Sequence, residues 1–163
     1  MDDKAEVKLA DLIHHQRWAC LATVNNGKPY ASFVAFVPET DFSAMLIHIS
    51  QLAPHTQYLL LDPRAAFAIS EQDQGDTDPQ TLVRLSMQGR VETLERDTKA
   101  YQQARARYLE RLPDAERLFS FTDFILFRFL PVQIRFVAGF ARTWNINPER
   151  MQAIAHAYYA GGE

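Results

Sequence analysis

Asn25-Asn26-Gly27 separates two short runs of β-forming residues, Trp18 to Val24 and Tyr30 to Val37. Asparagine and glycine tolerate positive φ, so this tripeptide predicts a tight hairpin and commits the region to antiparallel pairing. The rest of the chain is punctuated in the same way. Ala44 to Ile49 and Ala65 to Ser70 read as strands. Leu82 to Leu94 reads as a longer strand interrupted at Gly89, where a bulge or a close backbone approach is expected. Phe124 to Leu130 and Gln133 to Phe140 read as two further strands, split by Pro131 and joined there by a tight turn.

Helical spacing frames these strands. Ala5, Leu9, Leu12 and Ile13 share one face of a helix over about 5–17. A second helix contains His55, Thr56, Leu59 and Leu60 and is stopped by Asp62-Pro63. Asp97 is placed to cap a third over Thr98 to Arg111, and Pro113 breaks it before a short helical turn near Ala115 to Phe119. Asn147-Pro148-Glu149 opens a final helix over about 148–160, with Met151, Ile154, Ala155 and Tyr158 on one face. Six or seven strands with hairpin connections predict a mainly β domain over 1–163, an antiparallel barrel with helices packed outside. A doubly wound nucleotide fold would need strict alternation and a glycine-rich turn after the first strand; neither is present.

The 163 residues carry a formal net charge of −3 without a basic stripe, which argues against nucleic acid as a partner. Arg105, Arg107 and Arg111 are interleaved with Glu110 and Glu116, the pattern of a solvated helix face. Cys20, the only cysteine, sits in the apolar run WACLATV and reads as a buried structural thiol. The charged N-terminus lacks the apolar core of a signal peptide, and no stretch approaches the ~20 apolar residues of a membrane span. A cytoplasmic protein is the expectation.

The segment IHISQLAPHTQYLLLDP carries the most chemistry. A strand ending at Ile49 gives way at Ser50 to a polar turn, and Pro54-His55-Thr56 begins a helix. Such a turn leaves backbone N–H groups pointing at one spot, which suits an anion, and the side chains of Ser50, His55 and Thr56 would complete a phosphate pocket. The competing reading is that Ser50 merely caps the helix while His55 faces solvent; the residues alone leave both open. His14 and His15 are adjacent on the first helix and read as solvent-exposed, while His48 reads as a strand residue meeting a neighbour. His156, beside Tyr158 and Tyr159 on the last helix, reads as amphipathic surface. No metalloprotease or serine-hydrolase motif is present, and no metal site or catalytic residue is assigned.

This string resembles the pyridoxamine-5′-phosphate-oxidase-like FMN-binding split-barrel proteins, more closely the branch that includes the bacterial haem-utilisation proteins. Four further stretches match in order: CLATVNNGKPYASFVAF, RLSMQGRVE, ARARYLERLPDAE and FTDFILFRFLPVQIRFVAGF. The resemblance runs from about Ala19 to Asn145. It implies a split β-barrel, FMN, and a homodimer with flavin sites between the subunits. It carries the phosphate onto Ile49, Ser50, His55 and Thr56, the flavin lining onto Ser32, Phe33 and Val34, and the ring edge onto Arg84 and Leu85. A cation at Arg84 would stabilise anionic reduced flavin. The chain departs from the pattern at Gln57 and Tyr58, where a basic residue and asparagine are usual. It also lacks the Arg-Lys pair near Pro54 and His55 that the pyridoxamine-phosphate oxidases carry.

The leading expectation is therefore an FMN-dependent oxidoreductase acting on an unidentified small molecule. Two alternatives stand beside it: a haem-binding or haem-degrading protein on the same fold, for which the resemblance to haem-linked relatives offers His156 as the iron ligand, and a non-enzymatic flavin or deazaflavin carrier. Phe124 to Leu130 is apolar on both faces; one can fill the barrel and the other needs cover from a helix or a second subunit, and in the dimer the resemblance implies, Phe127 or Phe129 is expected to face the partner.

Overall fold

The computed structural model describes residues 1–161. Eight strands form one antiparallel sheet: β1 (Trp18–Asn25), β2 (Lys28–Ala35), β3 (Val37–Pro38), β4 (Met45–Ser50), β5 (Arg64–Ser70), β6 (Arg84–Thr93), β7 (Phe124–Val137) and β8 (Thr143–Ile146). Their order is β2-β1-β5-β6-β7-β4-β3, with β8 added beside β7. Four helices complete the fold: α1 (Asp3–His15), α2 (Pro54–Leu61), α3 (Lys99–Arg111) and α4 (Pro148–Ala160). The sheet curls around a single apolar interior, a mainly β split barrel with peripheral helices.

The hairpin forms as its sequence requires, with Asn26 at φ 50° and Gly27 at φ 76°. Alternation then sorts each strand. Leu21 on β1, Phe67 on β5, Met87 on β6, and Phe127 and Phe129 on β7 all point inward. The apolar face of α1 (Ala5, Leu9, Leu12 and Ile13) and that of α4 (Met151, Ile154 and Ala155) join the same core.

The turn expected at Pro131 does not exist, because β7 runs unbroken for 14 residues. One edge of β7 pairs β4 through Phe129 and resumes with β8 from Ile134. Pro131 lies in the gap between those ladders, where its missing N–H goes unused. On the other edge the register with β6 shifts after Gln88, so Gly89 faces Pro131 and Val132 is the extra residue. The expected interruption at Gly89 is therefore a β-bulge. The α3 cap is Thr98, whose hydroxyl accepts from Tyr101 N at 3.2 Å, and not Asp97.

A second, smaller core lies on the outer face of β4 and β7. Leu46 and Leu126 are covered there by Tyr101, Ala104 and Tyr108 of α3, and by Phe119 of a 3₁₀ segment, Pro113–Ser120. This layer corrects the expectation for Phe127 and Phe129. Both are at most 1% exposed and fill the barrel, and the opposite face of their strand is covered from within the chain. Neither can meet a second subunit.

The outer face left bare lies on β1, β2, β5 and β6. Its centre is small (Cys20, Ala22, Ala66 and Ala68), and Trp18 and Phe33 stack at one margin with rings 6.0 Å apart. Cys20, expected to be buried, is half-exposed on this face. No described helix is long and apolar enough to cross a membrane.

Candidate functional site

The β4–α2 turn differs from an open anion seat. Gln51 N donates to Asp123 O at 2.7 Å, Leu52 N to Ser50 Oγ at 3.1 Å, and Ala53 N to Ser50 O at 3.1 Å. Pro54 has no N–H to offer. The amides of Gln51, Leu52 and Ala53 are therefore engaged within the chain, so the turn itself presents no cluster of free donors. Ser50 Oγ donates to the Asp123 carboxylate at 2.6 Å, which puts a negative charge where a phosphate would need a positive one. Thr56 is fully buried, and its hydroxyl has no hydrogen-bond partner.

His55 does not face solvent. Its Nδ1 lies 2.9 Å from Ser32 Oγ, and burial holds the imidazole below its ordinary pKa. Ser50 and His55 are thus engaged within the chain, with the Asp123 carboxylate beside Ser50, an arrangement that disfavours a phosphate.

The remaining expected contacts are dispersed. Ser32 and Phe33 are neighbours on β2 and point to opposite faces, Ser32 toward α2 and Phe33 onto Trp18. Val34, Ile49 and Leu85 are core residues, with only backbone to offer a ligand. Arg84 Nη1 donates to the carbonyls of Gln80 at 2.9 Å and Leu82 at 3.1 Å, stapling the turn that precedes β6. Strands β1 and β5 lie between Arg84 and Ser32, so within one chain they cannot share a small ligand.

A cleft lies elsewhere, beside the bare sheet face. About 810 Å³ opens over β6, β7 and β8, with Ser86, Gln88, Gln133 and Asn145 as polar lining and Val132, Trp144 and Ile146 as the apolar wall. Arg135 and Arg150, both exposed, and Met1 complete the lining. None of these was singled out in the sequence. Trp144 falls on a four-residue strand, and the only available cue was the alternation Thr143-Trp144-Asn145-Ile146 just ahead of the Asn147 cap.

The histidines are elsewhere too. His14 and His156 line a separate cleft of about 530 Å³ with Asp41, Arg107 and Tyr159, and His14 Nδ1 lies 3.2 Å from the Tyr159 hydroxyl. His14 is thus half-buried rather than free in solvent. His48 is buried and stacked flat on Phe119 at 3.8 Å. Among the described residues no His, Cys, Asp and Glu cluster is arranged to hold a metal ion.

A curled antiparallel sheet with helices packed outside it defines a split-barrel protein. The chain belongs to the family described as CREG, beta-barrel, whose profile it matches over residues 2–153. It is 25% identical over 158 residues to "Heme oxygenase HutZ" of Vibrio cholerae, spanning 96% of this chain and 89% of that protein. It is 34% identical over 116 residues to "Non-canonical heme oxygenase HOZ, chloroplastic" of Arabidopsis thaliana, covering 71% of this chain but only 33% of that one. A heme binding protein from Mycobacterium smegmatis superposes with a TM-score of 0.82 at 26% identity, over 94% of this chain and 62% of that one. A FAD-binding protein of Mesorhizobium loti (TM-score 0.63, 17% identity, 82% and 92% coverage) shares the fold.

Proposed function

We propose that the protein binds haem, and degrades it, as a homodimer built on the bare sheet face. The observation that carries this reading is the amphipathic cleft of about 810 Å³, within the ~300–1,000 Å³ typical of small-molecule sites. Haem is a flat apolar ring bearing two carboxylates. Trp144, Val132 and Ile146 offer it an apolar wall, and Arg135 and Arg150 offer cations at the rim. Bound haem would supply iron-based oxygen chemistry, and the protein's part is seating, orientation and exclusion of water. The haem names of the more similar relatives support the same choice over FMN, as does a β4–α2 turn in which Ser50 is bonded to the Asp123 carboxylate and His55 to Ser32.

The second copy completes the site. No histidine is among the residues lining this cleft, so one chain by itself offers the ring a seat and cations but no imidazole. Small residues at the centre of that face allow close, isologous packing, and the stacked Trp18 and Phe33 gain cover. The absorption spectrum of purified protein titrated with hemin tests the reading. A Soret band saturating at one hemin per chain is expected, with affinity reduced about tenfold in Trp144→Ala, on the order of 1.4 kcal/mol. Absence of a Soret shift, or flavin absorption in the protein as isolated, would overturn it.

A further inference from the structure

The N-terminal turn of α1 is tied to the same cleft by two ion pairs. Glu6 pairs with Arg150, a rim residue of the cleft. Asp2 caps α1 through Ala5 N at 2.8 Å and also pairs with Arg142 at 2.5 Å, and the Arg142 guanidinium lies 5.4 Å from the ring centre of Trp144. Met1, at the head of this turn, lines the cleft itself. The start of α1 is therefore tied to Arg150, which lines the cleft, and to Arg142, which lies against its Trp144 wall.

We propose that Arg150 is the carboxylate receptor of this cleft, and that Glu6 is an internal carboxylate holding Arg150 until a ligand carboxylate replaces it. The exchange is chemically like for like: one carboxylate leaves a guanidinium and another arrives, with no net change of charge at Arg150. The Arg150 end of the pair is accessible to a ligand, its side chain 51% exposed, while Glu6 is 17% exposed, so the pair is only partly screened by solvent. The second pair, Asp2 with Arg142, lies on the helix cap and keeps the turn near the cleft when the first opens. Ligand binding and docking of the α1 turn thus compete for one guanidinium, and each weakens the other by the same factor. The ligand class is an amphipathic carboxylate with an aromatic or macrocyclic body that rests on Trp144. For haem in particular, this inference rests on the reading proposed above.

The receptor can be tested without haem. In a Trp18→Phe background, Trp144 is the remaining tryptophan and reports on the cleft. Iodide, an anionic quencher, is expected to quench Trp144 about twofold more strongly in Glu6→Gln, where Arg150 is released. Neutral acrylamide should quench both proteins alike, and Arg150→Gln should remove the iodide gain. Equal iodide quenching in wild type and Glu6→Gln would overturn the proposal. So would a gain of the same size with acrylamide, because that is simple loosening. A second arm uses protoporphyrin IX and its dimethyl ester, the same ring without free carboxylates. Glu6→Gln should raise affinity for the diacid several-fold and leave the ester unchanged; a diacid affinity unaffected by both variants would also overturn it. If the iodide result holds while hemin gives no Soret band, the carboxylate receptor stands and the haem reading alone falls.

Discussion

Gly89 faces the carbonyl of Leu130 so closely that a Cβ placed on it would stand 2.0 Å from that oxygen and 2.9 Å from the carbonyl carbon. The contact is backbone against backbone, so no side chain can rotate away. It sits at the bulge where β7 passes from its pairing with β4 to its pairing with β8. Gly89→Ala is expected to destabilise the fold by more than about 2 kcal/mol, because the strand pair itself must separate. Urea unfolding measures this, and a midpoint within error of wild type would show that the two strands yield there.

Phe33 and Phe129 are expected to separate assembly from folding. Phe33 is 60% exposed on the bare sheet face and Phe129 is fully buried. Phe33→Glu should convert a dimer to monomer in light scattering while thermal unfolding remains cooperative. Phe129→Glu should fail to fold, since it buries an unpaired carboxylate in the barrel. A folded Phe129→Glu monomer would reverse this assignment.

His48 gives the fold a specific acid sensitivity. Burial, with the charges of Arg96 and Arg105, lowers its pKa from 6.5 to about 4, so the folded protein holds it neutral against Phe119. The unfolded chain takes up a proton near pH 6.5, and the folded one only near 4. Stability from this group is therefore complete above about pH 6.5 and declines as the pH falls toward 4, by up to about 3 kcal/mol. His48→Phe should flatten the decline between pH 6.5 and 4.5 in denaturant midpoints. An unchanged slope would remove His48 as the cause.

Arg84 acts on its own loop. Because its guanidinium donates to Gln80 O and Leu82 O, Arg84→Ala should speed proteolysis between Glu71 and Leu82. Hemin affinity should stay within about twofold of wild type, as Arg84 does not line the cleft. A large loss of hemin binding would return Arg84 to the site.

The chemistry of the β4–α2 turn shows where sequence stops being informative. Ser50, His55 and Thr56 are residue types that suit a phosphate, and their spacing from strand end to helix start is what the structure contains. Their availability was decided by Asp123 and Ser32, residues far away in sequence that arrive through β7 and β2 and engage Ser50 and His55. A hydroxyl or imidazole already bonded within the chain is a different group from a free one.

Local physics settled the elements. The positive φ of Asn26 and Gly27, the Asn147 cap with Pro148, the stop at Asp62-Pro63 and the glycine bulge are consequences of covalent geometry, legible in the residues concerned. The inward faces of α1, α4 and the strands follow equally from their periods of 3.6 and 2. Tertiary structure decided which outer face was already covered. Periodicity marked both sides of β7 as apolar, but only the arrival of α3 and Phe119 made one of them interior, leaving β1, β2, β5 and β6 bare. The cleft was decided in the same way. Trp144, Arg135 and Arg150 are unremarkable singly, and they form a site because the eighth strand pairs the far half of β7 while the start of α1 folds back across it. A period records which residues share a face, whereas the long-range pairing of strands determines what that face meets.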